Sequence, residues 1–180
     1  LEFRRVLFRS ISFRNDVLPL KNELFRLALR ITLNNAEAED VVQETMIKVW
    51  NRRDEWHAIE SMEAFCLTVC RNLALDKNKK MASQGRSMDD TPGAEPTDDS
   101  TASNPERKAM LTDSVSLVRR LIDSLPEAQR SVMQLRDIEG KSYKEIAAVL
   151  GISEDRVKVT LFRARQAIRQ RFNETERYGL

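Results

Sequence analysis

The residues of this chain best suited to chemistry are basic, and they recur at helical spacing near its C-terminal end. From Arg156 to Arg171 there are six Lys or Arg and no acid. With Val157 at zero on a helical wheel, Leu161, Ala164, Ile168 and Phe172 all fall within roughly 60° of it at about 100° per residue. They form an apolar stripe. Val159, Phe162, Arg163 and Gln166 lie opposite it, and Lys158, Arg165 and Arg169 lie on the flank. An outward face mixing apolar groups with arginine suits the DNA major groove, where Arg meets guanine edges and apolar groups meet thymine methyls. The bland alternative is a solvated basic face on a stabilising helix.

The residues just before this helix are those needed to position it. Ser142-Tyr-Lys-Glu145 reads as a capping box, with Ser at the N-cap and Glu three residues on. It starts a helix over Tyr143–Leu150 that turns Ile146, Ala147 and Leu150 inward. Gly151 makes a short turn, Ile152 plugs it, and Ser153 caps the next helix with Glu154 and Asp155 in its first turn. Helix, glycine turn and second capped helix at this spacing fit a helix-turn-helix.

Three other clusters carry a choice of readings. Arg71, Lys77, Lys79 and Lys80 gather at the end of an earlier helix beside Asn72, Asp76 and Asn78. They either complement the helix dipole or contact phosphate. Ahead of that helix, Trp56 and His57 stand in a polar stretch. They either stack on unpaired bases or build a small satellite core. A third, acidic helix turns Asp40, Gln43, Glu44 and Ile47 outward. That row is either a solvated face or a docking surface for a protein partner.

Other chemistry is largely excluded. Cys66 and Cys70 are the only cysteines and His57 is the only histidine. A structural zinc site wants four such ligands, so no metal is expected. The cysteines fit small apolar packing groups in a reducing cytosol, with a redox pair as the alternative. One histidine removes most histidine-based catalytic constellations, and five glycines leave no glycine-rich phosphate cradle. The chain is therefore expected to be no enzyme and to need no cofactor. No apolar run reaches the ~18 residues that span a bilayer, and a cytoplasmic location is expected.

The elements that hold these clusters are all helical in pattern. Val17 to Leu33 places Leu20, Leu24, Leu27, Ala28 and Ile31 on one face, and Asn34-Asn35 breaks it. Ala36 to Trp50 has a stripe of Val42, Met46, Val49 and Trp50. Met62 to Lys80 has a core face of Phe65, Val69 and Leu73. Glu106 to Ser124 carries Leu111, Val115, Val118, Leu121 and Ile122, and Leu125-Pro126 starts a further helix to about Asp137, closed by Gly140. Between the two blocks, Gly85 to Pro105 holds three Pro, two Gly, no aromatic residue, and five acids against one Arg. It cannot bury enough apolar surface to offset its ordering entropy.

The expected fold class is all-α, with two small helical domains joined by a flexible acidic linker. The expected limits are a leader not native to the chain at 1–10, domains at 11–84 and 106–174, the linker at 85–105, and a tail at 175–180. The net charge of +2, from 30 Lys and Arg against 28 Asp and Glu, then averages over opposed parts. Acid collects in one helix and the linker, and base at two helix ends.

Taken together, these residues resemble bacterial RNA polymerase sigma factors of the extracytoplasmic-function group. Ala38-Glu-Asp-Val-Val-Gln-Glu-Thr-Met-Ile-Lys-Val-Trp50 and Ala64-Phe-Cys-Leu-Thr-Val-Cys-Arg-Asn-Leu-Ala-Leu-Asp76 look like that family's region 2. Leu125-Pro-Glu-Ala-Gln-Arg130, Tyr143-Lys-Glu-Ile-Ala-Ala-Val-Leu-Gly-Ile-Ser153 and Arg156-Val-Lys-Val-Thr-Leu-Phe-Arg-Ala-Arg165 look like region 4. The resemblance covers about residues 17–82 and 106–172.

It implies a promoter-specificity subunit that binds core RNA polymerase, through its β and β′ subunits, and promoter DNA. An anti-sigma partner is implied too. Asp40, Gln43, Glu44 and Ile47 would hold the polymerase. Trp56, His57, Arg71, Asn72, Asp76, Lys77, Lys79 and Lys80 would serve the opened −10 element. Ser153, Arg156, Lys158, Val159, Phe162, Arg163 and Gln166 would serve the −35 element. Many family members have Ser then Arg after the Lys158 position, where this chain has Val159 and Thr160, and Trp56-His57 departs from the usual pattern. The promoter sequence is therefore not carried over from any relative. The alternative function is a stand-alone helix-turn-helix repressor or activator, which needs a dimer interface or ligand pocket.

Overall fold

The structure, a computed structural model, describes residues 10–85 and 105–178; for 105–113 and 178 only the backbone is described. Most of the expected leader and the segment 86–104 lie outside the described residues. Every regular element among the described residues is helical.

A π-type turn at Phe13–Val17 and a 3₁₀ turn at Leu18–Leu20 lead into α1, Lys21–Thr32. Proline at position 19 sits in the first turn, where its missing N–H costs nothing. Helix α1 buries Leu24, Leu27, Ala28 and Ile31 completely, as their spacing predicts. It ends on Leu33, which takes a left-handed backbone (φ 56°) without being glycine. That conformation costs roughly 1 kcal/mol or more for a side chain of this type. The Leu33 N–H donates to the Leu29 carbonyl at 2.8 Å, closing the helix. Asn34, read as a breaker, also caps the next helix, its Oδ1 accepting from the Glu37 N–H at 3.0 Å.

Helix α2 runs Asn35–Asn51 and α3 runs Met62–Ser83, joined by a 3₁₀ stretch at Arg53–Ala58. Ser61 caps α3 by accepting from the Ala64 N–H. Helices α1, α2 and α3 pack on one another around Ala38, Val41, Val49, Cys66, Cys70 and Ala74. Two expected faces need correction. Trp50 is half exposed rather than inward, because Val49 one step earlier takes the core position. On α3 the buried face is Cys66, Leu67, Cys70, Leu73 and Ala74, while Phe65 and Val69 sit at its edge.

The second unit comprises α4 (Pro105–Asp123), α5 (Glu127–Met133), a π-type turn at Gln134–Ile138, α6 (Tyr143–Leu150) and α7 (Glu154–Tyr178). Of the apolar face expected on α4, Ile122 is buried, but Val115 and Val118 are exposed. Gly140 takes φ +69° where the chain turns toward α6, a conformation that favours glycine.

The two units are packed together. Buried apolar residues from α1, α2, α3, α5, α6 and α7 belong to one connected cluster. Helix α1 meets α5, and α3 meets α6. Across this boundary the Arg130 guanidinium donates to the carbonyls of Arg30 (2.6 Å) and Ile31 (3.2 Å) while also holding the Leu125 carbonyl (2.6 Å). The Ile31 carbonyl accepts a second bond, from Asn78 Nδ2 at 2.7 Å. A cation thus sits at the negative end of α1, where the last carbonyls lack helical partners.

Candidate nucleic-acid interface

The helix-turn-helix forms as its capping residues predict. The Ser142 N–H donates to the Glu145 carboxylate at 2.7 Å, and the Glu145 N–H donates to Ser142 Oγ at 3.2 Å, completing the capping box. The Ser142 hydroxyl, donating to the same carboxylate at 2.7 Å, and then the Ser142 N–H hold the Glu145 carboxyl below its ordinary pKa. Gly151 closes α6 in the left-handed region (φ +66°), and the Ile152 N–H donates back to the Ala147 carbonyl at 3.1 Å. Ser153 Oγ then accepts from the Arg156 N–H at 3.3 Å and starts α7.

Helix α7 buries Val157, Leu161 and Ala164, with Ile168 and Phe172 half-buried below them. The opposite face carries Val159 at 47% and Phe162 at 60% exposure, flanked by exposed Arg156, Lys158, Arg163 and Gln166. Leaving a phenylalanine in water beside arginines forgoes the ~2 kcal/mol its burial would return. The arrangement suits a surface that is covered by something else. Lys158 is steadied by Asp155 (3.4 Å) and lies 5.8 Å from the Tyr143 ring centre, a ring that also faces Arg136. Arg165 is paired with Asp137 and braces α7 against the preceding turn. Ser153 sits at the same end of the surface, with its hydroxyl engaged in the cap.

The second cluster is divided by the fold. Asn72, Asp76, Lys79 and Lys80 are exposed along the outer side of α3. Lys77 is drawn aside by Glu37 (3.1 Å) and Asp40 (3.4 Å), and the Glu37 contact raises its pKa. Arg71 is mostly covered, with Nη2 3.8 Å from Glu127 of the second unit and Nε buried without a hydrogen-bond partner.

Trp56 is a correction. It is 7% exposed, donates from Nε1 to the Val49 carbonyl at 3.1 Å, and lies among Phe13 and Trp50 with ring centres 6.5 and 6.3 Å away. It belongs to the connected apolar core, packed beside these two rings, and offers no face to a base. Its neighbour His57 is exposed, with Nδ1 2.9 Å from the Asp54 carbonyl.

The third cluster stands as expected on α2. Asp40, Gln43 and Ile47 are exposed, Ile47 at 60%, and Glu44 is half-buried beside Lys48. Half-exposed Trp50 continues this row, with the Arg53 guanidinium 5.0 Å from its ring centre. Residues 43, 47 and 50 share one outward helical row, whereas the apolar stripe expected from the sequence places Trp50 on the core face.

The thiols are inert by environment. Burial pushes both Cys66 and Cys70 up to about 12, and the Cys70 thiol donates to the Leu24 carbonyl. Among the described residues no group of His, Cys, Asp and Glu could hold a metal ion, and no helix is long and apolar enough to cross a membrane.

Comparison with known proteins agrees with this geometry. Residues 17–83 match the family model "Sigma-70 region 2" and residues 116–168 match "Sigma-70, region 4". The chain is 31% identical over 160 residues to the RNA polymerase sigma-H factor of Pseudomonas aeruginosa, covering 84% of this chain and 81% of that protein. It is 33% identical over 153 residues to the ECF RNA polymerase sigma factor SigE of Mycolicibacterium smegmatis, covering 82% of this chain and 56% of that one. The chain thus spans little more than half the length of some curated relatives. Its fold is similar to that of the sigma factor RpoE from Bartonella quintana, solved in complex with the anti-sigma factor NepR. There the TM-score is 0.69 at 21% identity, over 88% of this chain and 94% of that one. With both regions matched in order, and with relatives of this identity and coverage, the chain belongs to the extracytoplasmic-function group of RNA polymerase sigma factors.

Proposed function

We propose that the chain acts as a promoter-specificity subunit, joining core RNA polymerase to promoter DNA to support initiation. The observation that carries this reading is the pair of unburied apolar-and-charged faces on separate units. One is Val159, Phe162 and Arg163 on a capped helix-turn-helix, and the other is Ile47 beside Asp40, Gln43 and Glu44 on α2. The first has the make-up of a major-groove reader and serves the −35 element, with Ser153, Arg156, Lys158 and Gln166 around it. The second serves the polymerase β and β′ subunits.

His57, Asn72, Asp76, Lys79 and Lys80 serve the opened −10 element, with Arg71 and Lys77 reaching it once released from their carboxylate partners. Trp56 holds the preceding loop in place. Residues 11–84 and 106–174 are the two working units, in the cytoplasm, with 85–105 between them. The solved RpoE relative carries an anti-sigma factor, and a partner of that class fits this chain as well. The subunit supplies binding rather than catalysis. A stand-alone repressor would leave the α2 face and the whole first unit without a role.

The test is transcription in vitro with purified core polymerase on promoters mapped from RNA made after overexpression. Initiation that requires the chain is the expected result. Duplex binding by the chain alone, with no initiation on any such promoter, overturns the reading.

A further inference from the structure

Helix α7 gathers its exposed large apolar residues in one place. Val159 and Phe162 are open to solvent near its start, whereas the same outward row further along holds Gln166, Gln170 and Asn173. At about 100° per residue from Val157, the residues Asp155, Val159, Phe162 and Gln166 all lie within roughly 40° of the point facing away from the core. Arg156 and Arg163 stand to one side of that line, and Lys158 and Arg169 to the other, all four exposed.

An apolar middle between two cationic edges suits a helix laid in a major groove. The edges reach phosphates or the guanines beside them, and the middle meets the floor of base edges. The side chains of Arg156 and Arg163 make no hydrogen bond or ion pair among the described residues, so no partner there draws them aside.

The middle is defined by what it lacks. Neither Val159 nor Phe162 has a side-chain donor or acceptor. The hydroxyl beside them, on Thr160, is turned back to the Arg156 carbonyl at 2.7 Å. A base step facing these two side chains is therefore not read by hydrogen bonds. The apolar feature of the major-groove floor is the methyl group at C5 of thymine. Three residues of helix rise about 4.5 Å, against about 3.4 Å per base step, so the pair covers one or two neighbouring steps.

A reader of methyl groups behaves differently from a reader of hydrogen bonds. C5 of cytosine lies at the same edge of the groove as C5 of thymine. A methyl group placed there gives Val159 the same contact, whichever pyrimidine carries it.

We propose that Val159 and Phe162 form a site for the C5-methyl group of a pyrimidine in the −35 duplex. The site favours thymine over uracil and 5-methylcytosine over cytosine at the same step, which makes promoter choice by this chain responsive to cytosine methylation there. The inference rests on the −35 reading above and names the chemical group which that surface selects.

The experiment changes the DNA and leaves the protein alone. Holoenzyme is assembled from the full chain and core polymerase, and competition binding is measured on the promoter mapped from RNA. Each pyrimidine of the −35 element, on either strand, is replaced in turn by thymine, uracil, cytosine or 5-methylcytosine. At one or two adjacent steps, thymine binds about fourfold more tightly than uracil, and 5-methylcytosine about fourfold more tightly than cytosine, as burial of one methyl group requires. Val159→Ser, at unchanged helical content, brings each pair to within about twofold. Arg163→Ala weakens all four bases alike and keeps the methyl preference.

Equal binding of the methylated and unmethylated base at every step, on an element that still needs Arg163, overturns the methyl site and leaves the −35 reading standing. A preference that survives Val159→Ser removes Val159 from the site. Binding that is indifferent to replacement of the whole −35 element overturns the reading on which the site rests.

Discussion

Arg130 Nε donates to the backbone carbonyl of Arg30 at 2.6 Å, joining two residues 100 apart in the chain. The same guanidinium reaches the Ile31 and Leu125 carbonyls, and it is 7% exposed. Burial lowers its pKa, but an arginine so placed stays protonated. Its fork ties the loop before α5 to the end of α1.

Replacing Arg130 therefore destabilises the chain. Arg130→Ala leaves three carbonyls without this donor, and the expected loss is about 3 kcal/mol. Arg130→Lys keeps the charge without the fork and recovers less than half of that. Urea unfolding followed by circular dichroism gives both numbers, and equal midpoints for Arg130→Lys and the parent chain would contradict the geometry.

Two cysteines with pKa values near 12 carry about one part in ten thousand thiolate at pH 8. Iodoacetamide at that pH is expected to leave the native chain unmodified over times that fully alkylate free cysteine. Denaturation first, and both thiols react. Mass spectrometry counts the adducts.

The Glu145 cap carries a pH dependence of known sign. Its folded pKa is lowered from 4.5 by the Ser142 bonds, so its contribution is present above about that pH and is lost as pH falls through the folded value. Glu145→Ala should cost about 1 kcal/mol at pH 7, with the gap between the two proteins narrowing in melts below pH 4.

At the recognition face, Arg163→Ala and Phe162→Ala are expected to weaken −35 recognition by about 1–3 kcal/mol each. Core-polymerase binding should not change. Titration calorimetry with core, set beside promoter binding by the assembled holoenzyme, separates the two effects. Lost core binding in either variant would contradict the placement.

Trp56 and His57 are adjacent but should behave oppositely. Trp56→Phe removes one of two donors to the Val49 carbonyl, which keeps the Arg52 N–H at 3.2 Å, and costs about 0.5–1.5 kcal/mol of stability. His57→Ala leaves stability nearly unchanged and weakens binding to an opened promoter. Thermal melts and holoenzyme binding to a pre-melted template check the pair.

These cases also show what was legible in the chain. Local rules found the second unit's helices, because the caps at Ser142 and Ser153 act within three residues and the Val157–Leu161–Ala164 stripe repeats at helical period. They failed where the deciding partner is remote. Nothing in the spacing says that Lys141 meets Glu23 or that Arg130 meets the Arg30 carbonyl, and a buried charge has no periodic signature. Trp50 was misplaced because two apolar residues stand side by side at 49 and 50, about 100° apart, and only one of them can face the core. Trp56 left two readings open, and only the position of Phe13, far back in the chain, decides between them.

The doubly occupied Ile31 carbonyl has a further consequence. Asn78 holds it from within the first unit, whether or not Arg130 is present. If the second unit swings away, this end of α1 keeps an internal bond, and only the Arg30 carbonyl must turn to solvent. The first unit is thus furnished in advance for life without its neighbour. Its α1 terminus should show the same amide protection in an isolated fragment as in the whole chain, so that parting the units need not begin to unravel either of them.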